Sequence, residues 1–522
     1  MNRIVMIAVL SLMGTVATGQ QKTTADKTAP ATISVHTDKV IHQLDDHWFG
    51  AAGEYFNAQF SMAISNPPAV EMIKSFKPGF LRWPSGTCAL WYFWDKPDQS
   101  YQPIAGNKLF ISPNDFLNVA NTLNAQSLVQ VNTYQIRREG AEGFDNAKVL
   151  VAPGNIREAA NYAARWVKDL KEKKRPVTWW EIGNEDWVYY TGHQHAGFVN
   201  AYSKAMRKEN PKLRILAQGM MAGQRWASDY NVAHGEVWMQ QLLDTLEPGA
   251  ADAVSLHTYI SGLLPDQATP TLAQQTMSMF AQNHDAKDFT VIRDMVRQND
   301  PKLQLWITEL NFMQSDPSGP GGLRQLQNLA HALVITDRAA RFLSLGADRL
   351  AYHDLVGHPC FALMDVQHYG KPDKPRMMAP GMGIQALTAE FGTSFYQVDL
   401  DNIPQQTATF PSFVDGQKGR IAKEGTYPLV SAYASGRKQD QSTRILLINR
   451  DLDNDQVVKL QLPDGQPMPQ NIELRQLGKG LPLEANNLRE PEVVRWETMQ
   501  IPSSTLTNLT LPAHTLTLII IP

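Results

Sequence analysis

Between residues 48 and 355 the chain carries eight short apolar runs rich in β-branched and aromatic residues, with a stretch of helical period between each and the next. This alternation restricts the fold more than any other feature. A strand, a helix and a second strand in succession make a parallel crossover, and eight such units close on themselves. The strand-like runs are 48–55, 79–83, 127–133, 178–184, 213–218, 253–259, 305–310 and 349–355. Helical stretches are expected at 70–76, 113–123, 155–173, 196–208, 235–246, 274–297 and 323–345. The clearest is 155–173, where Ala159, Tyr162, Ala163 and Trp166 fall at helical spacing and the basic end suits the helix dipole. The chain is therefore read as α/β, a (β/α)8 TIM barrel over residues 47–393.

The pattern changes after residue 393. Short alternating runs broken by Pro, Gly, Asn and Asp, clearest at 444–449, 457–462 and 515–521, predict a C-terminal antiparallel β-sandwich over 394–522. A lone strand within 32–46 precedes the first barrel run and is expected to pair into that sandwich. Residues 1–19 read as a secretory signal. Arg3 supplies the positive charge, Ile4 to Val16 the apolar run, and Ala17-Thr18-Gly19 the small-residue cleavage site. Residues 20–31 read as a flexible leader, and the protein is expected to be exported to the periplasm or beyond. With 522 residues there is ample chain for a barrel and a second domain.

In a parallel barrel the reactive groups gather at the C-terminal ends of the strands. Here those ends carry Glu54, then Arg82-Trp83-Pro84-Ser85-Gly86-Thr87, Asn184-Glu185, His257-Thr258-Tyr259, Glu309-Leu310-Asn311 and Tyr352-His353-Asp354. Polar caps are common on single strands, but six converging on one mouth exceed what solvation requires. Two carboxylates facing each other across a cleft are the equipment of glycoside hydrolysis, and a separation of about 5 Å suits a retaining enzyme. Glu185 is assigned as acid/base and Glu309 as nucleophile. Glu54, Arg82, Thr87, Trp94, Asn184, His257 and Tyr259 are the expected substrate-binding residues, with His257, Tyr259 and Arg82 also placed to orient Glu309. Glu181, deeper in the same strand as Glu185, reads as a structural carboxylate, and Asp186 as a loop cap.

These motifs resemble the glycoside hydrolases of clan A, and within them family 51, the α-L-arabinofuranosidases. Phe49-Gly50-Ala51-Ala52-Gly53-Glu54 is similar to the family's first-strand Gly-x-x-x-Glu. Arg82 to Thr87, with Trp94 downstream, resembles its Arg-Tyr-Pro-Gly-Gly-Asn segment and following Trp. Trp180 to Glu185 resembles the acid/base strand, Ser255 to Tyr259 the Ser-Leu-His-x-Tyr strand, and Leu447 to Arg450 the Val-Asn-Arg strand of the β-domain. The resemblance implies release of arabinofuranosyl groups from plant or microbial oligo- or polysaccharide by double displacement. Two positions depart from the family. Thr308-Glu309-Leu310 stands where Asp-Glu-Trp is usual, and Thr87 where Asn is usual. Both bear on the sugar rather than the mechanism.

The bulk properties narrow the alternatives. A net charge of −3 gives no basic field for nucleic acid and no polybasic membrane signal. Two cysteines, Cys88 and Cys360, are too few for a disulfide framework or a Cys-based zinc site; pairing and separate thiols both stay open. No His-Glu-x-x-His spacing and no phosphate-cradling Gly loop occurs, so neither metal nor cofactor is expected. The rival readings are the same chemistry on another sugar (a xylosidase, glucuronidase or endo-glucanase) and a non-catalytic glycan-binding protein.

Overall fold

The computed structural model describes residues 30–522 apart from 55–57, 87–88, 91, 98–99, 101–110, 134–155, 228–230, 262–276, 283, 314–327, 357–361, 367–374, 414–419, 464, 466–467, 482 and 484–492. The expected signal, nearly all of the leader, Thr87, Cys88 and Cys360 lie outside the described residues. After an N-terminal strand β1 (Ala31–Gln43) come the eight barrel strands. They are β2 (Phe49–Ala52), β3 (Phe80–Trp83), β4 (Gln126–Val131), β5 (Trp179–Ile182), β6 (Arg214–Gln218), β7 (Ala253–Ser261), β8 (Gln304–Met313) and β9 (Arg349–Tyr352). They pair in parallel in chain order, and β9 returns to β2 to close the barrel. Among the described residues no helix is long and apolar enough to cross a membrane.

The outer helices are α1 (Pro67–Ser75), α2 (Pro113–Thr122), α3 (Ile156–Glu172), α4 (Gly192–Glu209), α5 (Gly235–Thr245), α6 (His284–Asn299), α7 (Leu329–Ser344) and α8 (Ala379–Gln385). Local chemistry fixes their starts. Ser112 and Asp115 form a reciprocal capping box at α2, and Thr191 and Gln194 form another at α4. The second box explains why α4 begins four residues before the expected 196. The expected helix over 274–297 is shorter in the described residues, where a 3-10 turn at Ser278–Ala281 precedes α6.

Strand alternation sorts the barrel interior into layers. Phe80, Leu128, Trp179, Leu216, Ala253, Trp306 and Ala351 form a closed apolar cluster. Trp306 lies 4.4 Å from Trp179 and 5.2 Å from Phe80 between ring centroids, and the Arg349 guanidinium sits 4.5 Å from the Trp306 ring. Two residues further along the same strands, on the same face, stand Arg82, Gln130, Glu181, Gln218, Ser255 and Thr308, all buried. An apolar floor thus carries a polar layer, and the polar layer faces the mouth.

The C-terminal domain is one nine-stranded sheet. Its strands are β10 (Ser394–Asp401), β13 (Val430–Arg437), β14 (Ser442–Asn449), β15 (Gln456–Gln461), β16 (Asn471–Leu477), β17 (Trp496–Pro502), β18 (Leu509–Leu511) and β19 (Leu516–Ile521), with β1 inserted between β10 and β15. A hairpin of β11 (Gln405–Phe413) and β12 (Arg420–Pro428) stands beside it. Pairing is antiparallel except between β1 and β15. The sheet curls over its own core, which brings Ile33, Val35, Ile445, Leu447, Leu474 and Ile519 together.

Helix α7 lies between barrel and sheet and is buried nearly all round, unlike a surface helix with one apolar stripe. Its Asp337 carboxylate accepts from Arg341 one turn on, from Arg450 beyond β14, and from the Tyr433 hydroxyl of β13 at 2.9 Å. Burial alone would raise this carboxyl, but Arg341 and Arg450 hold it well below the ordinary carboxylate range. The stability it contributes is therefore present at neutral pH and is lost as pH falls through that depressed range. Asp337→Asn leaves the buried Arg450 and the partly buried Arg341 guanidinium groups without their carboxylate. We expect it to lower stability at pH 7 by about 2–4 kcal/mol in urea unfolding, a deficit that shrinks toward acid pH.

Candidate active site

The polar layer is organised by one cation. Arg82, fully buried at the end of β3, donates from Nε to Glu181 at 2.6 Å and from Nη1 to Glu309 at 2.6 Å. Its Nη2 reaches Asn184 Oδ1 at 2.9 Å and His257 Nε2 at 3.3 Å. Three strand ends are thereby tied to a fourth. Glu181 is closed on its other side by Thr308 at 3.3 Å, and Asn184 by Gln130 at 3.2 Å.

Simple alternation does not bring both candidate carboxylates into the mouth. In β8, Trp306 and Thr308 face inward, so an undisturbed strand would turn Glu309 outward with Ile307. The pairing of β8 with β7 slips between Ile307 and Glu309, and this bulge lets consecutive residues face the interior: Thr308 binds Glu181 while Glu309 binds Arg82. In β5 the strand ends at Ile182, and the chain turns through left-handed backbone at Gly183 (φ 78°) and Glu185 (φ 51°). A side chain at Gly183 would overlap the Asp186 carboxylate, at 2.4 Å. That carboxylate accepts from the Asn184 N–H at 3.2 Å and from Thr133 at 3.2 Å, and contacts His195 Nδ1 at 2.8 Å. The Glu185 N–H donates to Gln218 at 3.3 Å.

The two glutamates sit in different environments. The Glu309 side chain is 6% exposed and takes a short hydrogen bond from the Tyr259 hydroxyl. The Glu185 side chain is 26% exposed, and its Oε1 lies 3.0 Å from His257 Nδ1. Burial on its own would raise the Glu309 carboxyl. His257, His353, Arg82 and the Tyr259 hydrogen bond outweigh it and hold the group well below the ordinary carboxylate range. Arg82 is the lasting cause. His353 is itself pushed down to about 4, chiefly by burial. Arg82 can only donate, so the His257 nitrogen it faces accepts, and the other ring nitrogen carries the proton directed at Glu185.

A second group lies beside the first. His353 Nε2 stands 3.8 Å from Glu54 and its Nδ1 3.2 Å from Asp354. Gly86 (φ 60°) lets the backbone pass close to Glu54, since a Cβ there would lie 2.9 Å from the carboxylate. Burial, followed by the charge of Glu309, pushes the Glu54 carboxyl up to about 8. Burial also drives Asp354 well above its ordinary range, with Glu54 and Glu309 adding to it. Each group brings three possible metal-ligand atoms within 4.8 Å of one another. In the first of them the Arg82 guanidinium already supplies the positive charge at Glu309.

Arg82, Asn184, Glu185, His257, Tyr259 and Glu309 are thus brought together, with Glu54 alongside, and Thr87 lies outside the described residues. His257 differs in detail from the expectation: its nitrogen is nearer Glu185 than Glu309, where the distance is 3.5 Å. Trp94 is not bonded into this cluster; its indole stacks on Trp166 of α3 at 6.0 Å and packs on Tyr162 at 5.7 Å. Sequence reasoning passed over Gln130, Gln218 and His195, and named Asp354 only as part of a strand end. Gln130 and Gln218 had a usable signal, being amides at inward positions of otherwise apolar strands.

No protein-family model matches the chain. The intracellular exo-α-(1→5)-L-arabinofuranosidase of Acetivibrio thermocellus is 22% identical over 287 residues, covering 50% of this chain and 52% of that protein. The α-L-arabinofuranosidase C of Emericella nidulans is 20% identical over 344 residues, covering 60% and 65%. The match therefore spans about half to two thirds of each relative's length. Among solved structures, a family 51 α-L-arabinofuranosidase from Bifidobacterium longum superposes with a TM-score of 0.71 at 16% identity, covering 95% of this chain and 99% of that one. The Thermotoga maritima α-L-arabinofuranosidase gives 0.68 at 15% identity, covering 94% and 99%. A bifunctional glucanase-xylanase from a metagenome library, CelM2, gives 0.63 at 13%, covering 94% and 99%. The barrel with its curled sheet is the fold of the family 51 arabinofuranosidases.

The raised Glu54 carboxyl has a consequence for stability. The folded protein retains a proton that the unfolded chain releases above its ordinary value of 4.5. Stability from this group is complete below that value and falls as pH rises toward 8. Glu54→Gln keeps a similar shape without the ionisation. We expect its stability relative to wild type to improve by about 1–3 kcal/mol between pH 5 and pH 8, as measured by urea unfolding at the two pH values.

Proposed function

We propose that this protein is a retaining glycosidase that releases α-L-arabinofuranosyl groups from plant or microbial saccharides. The observation that carries this reading is the pairing of Glu185 with Glu309. Each offers an oxygen within 4.8 Å of the other, with His257 between them. Retaining glycosidases hold their carboxyl groups about 5–5.5 Å apart, whereas inverting ones need about 6.5–9.5 Å to admit a water. The environments divide the roles. Glu309, held ionised by Arg82 and Tyr259, attacks the anomeric carbon as the bond to the leaving oxygen breaks. Glu185, more exposed and bonded to His257, gives that oxygen its proton. Glu185 then takes a proton from water, and the resulting hydroxide displaces Glu309 and frees the sugar with its configuration kept.

Asn184 is placed to hold a sugar hydroxyl. Its Oδ1 is fixed by Arg82 and Gln130, while its buried Nδ2 has no hydrogen-bond partner among the described residues. The choice of an arabinofuranosyl group is supported by the named activities of the two sequence relatives above and of the Bifidobacterium longum and Thermotoga maritima structural neighbours. Export is supported by the charged, apolar and small-residue segments at residues 1–19.

We expect Glu309→Ala to lose about a thousandfold or more in kcat/KM on 4-nitrophenyl α-L-arabinofuranoside, with the fold intact by circular dichroism. Proton NMR of the first product should show the same anomeric configuration as the substrate. An inverted product would refute the double displacement. Cleavage of pyranosides but not furanosides would refute the sugar.

A further inference from the structure

Behind the turn that carries Glu185 lie two fully buried polar side chains, Asp186 on the turn itself and His195 in the first turn of α4. The Gln218 N–H, at the end of β6, meets His195 Nε2 at 3.2 Å. A backbone N–H can only donate, so Nε2 is the acceptor, and Nδ1 donates to Asp186 Oδ2 at 2.8 Å. The other Asp186 oxygen accepts from the Asn184 N–H and from Thr133, each at 3.2 Å. Gln218 closes the circuit, since its Oε1 accepts from the Glu185 N–H at 3.3 Å. The contacts thus run from Glu185 to Gln218, His195 and Asp186, and return to the residue before Glu185. The imidazole is held from its other side by Trp238 of α5, at 5.5 Å between ring centroids.

A buried His–Asp pair more often serves the fold than the chemistry, because both groups need partners once water is gone. Two observations tie this pair to Glu185. Its contacts end on the N–H groups of residues 184 and 185, which set the direction in which the Glu185 side chain leaves the turn. The backbone at Glu185 is also left-handed, at φ 51°, a conformation that a residue with a side chain keeps only where its surroundings hold it. We propose that Asp186 and His195 are positioning residues for the acid/base. They fix the backbone of Asn184 and Glu185 so that the Glu185 carboxyl meets the leaving oxygen. This rests on the glycosidase reading above and adds to it the groups that aim the proton donor.

The test separates aim from stability through the leaving group. An alkoxide departs only with a well-placed acid, whereas 4-nitrophenolate leaves with little help. In His195→Ala, kcat/KM on methyl α-L-arabinofuranoside should fall about 30- to 100-fold, and on 4-nitrophenyl α-L-arabinofuranoside by less than about threefold. On the aryl substrate kcat and KM should fall together, because the second step needs Glu185 as base and the glycosyl-enzyme accumulates. Asp186→Asn keeps the side-chain shape but sets an N–H against either His195 Nδ1 or the Asn184 N–H. It should give the same pattern, and it decides the matter if His195→Ala does not fold. In a variant folded by circular dichroism, equal losses on both substrates, or no loss on either, overturn the positioning role. A wild type that cleaves another sugar instead refutes the arabinofuranosyl choice, and the same comparison is then made on the methyl and 4-nitrophenyl glycosides of that sugar. A wild type that cleaves no glycoside defeats the glycosidase reading and the positioning role with it.

Discussion

Everything in the barrel mouth depends on placing one guanidinium where no water reaches it. Removing Arg82 from water costs several kcal/mol before any partner is counted, and the partners must therefore be present and well aimed. The fork meets that demand with two carboxylates, an amide oxygen and an imidazole nitrogen. Glu181 is structural for this reason: it lies fully buried beneath the mouth, closed by Arg82 on one side and Thr308 on the other. Glu309 shares the same cation but sits one layer higher, so the charge that stabilises the fold also keeps the proposed nucleophile deprotonated. The excess of positive charge is consumed there. At Glu54 and Asp354, next to it, burial and the charge of Glu309 prevail and both carboxyls are raised.

The floor beneath this layer makes such a concentration of charge tolerable. Trp179, Trp306 and Phe80 fill the barrel below Arg82, and Arg349 closes the bottom against their rings. Tight packing below leaves the polar groups one direction in which to be unsatisfied, which is upward into the cleft. The Nδ2 of Asn184, without a hydrogen-bond partner among the described residues, is the clearest example. A site of this kind trades stability for readiness, and the buried link of Asp337 to Arg450 and Tyr433 holds the second domain against the barrel independently of it.

The barrel was legible because its signal is periodic and repeated, and each apolar run marks a strand whatever happens at its ends. The site was legible where strand-end residues point along an undisturbed strand, as His257 and Tyr259 do on β7. It was less so where the backbone departs from the regular path. Glu185 reaches the cleft through two left-handed residues, and Glu309 through a bulge of one residue. A count of alternate positions would have turned Glu309 away from the cleft, so motif resemblance identified it where periodicity did not. Trp94 shows a different limit. Its sequence neighbourhood resembles a binding segment, and sequence distance conceals that its indole packs on Trp166 and Tyr162.

These two kinds of residue explain why the reaction is easier to read than the substrate. The groups proposed to break the bond are held by strands and by Arg82, so their positions follow from the barrel itself. The groups that would contact the rest of a saccharide stand on loops, where neither strand register nor barrel closure constrains them. The fold is shared by proteins named as arabinofuranosidases and by one named as a glucanase-xylanase. It is therefore compatible with more than one sugar, and selection must come from surfaces that the strands do not dictate. In this chain the loop after β6 is one segment outside the strands, fastened by Asn231 to the turn that carries Glu185.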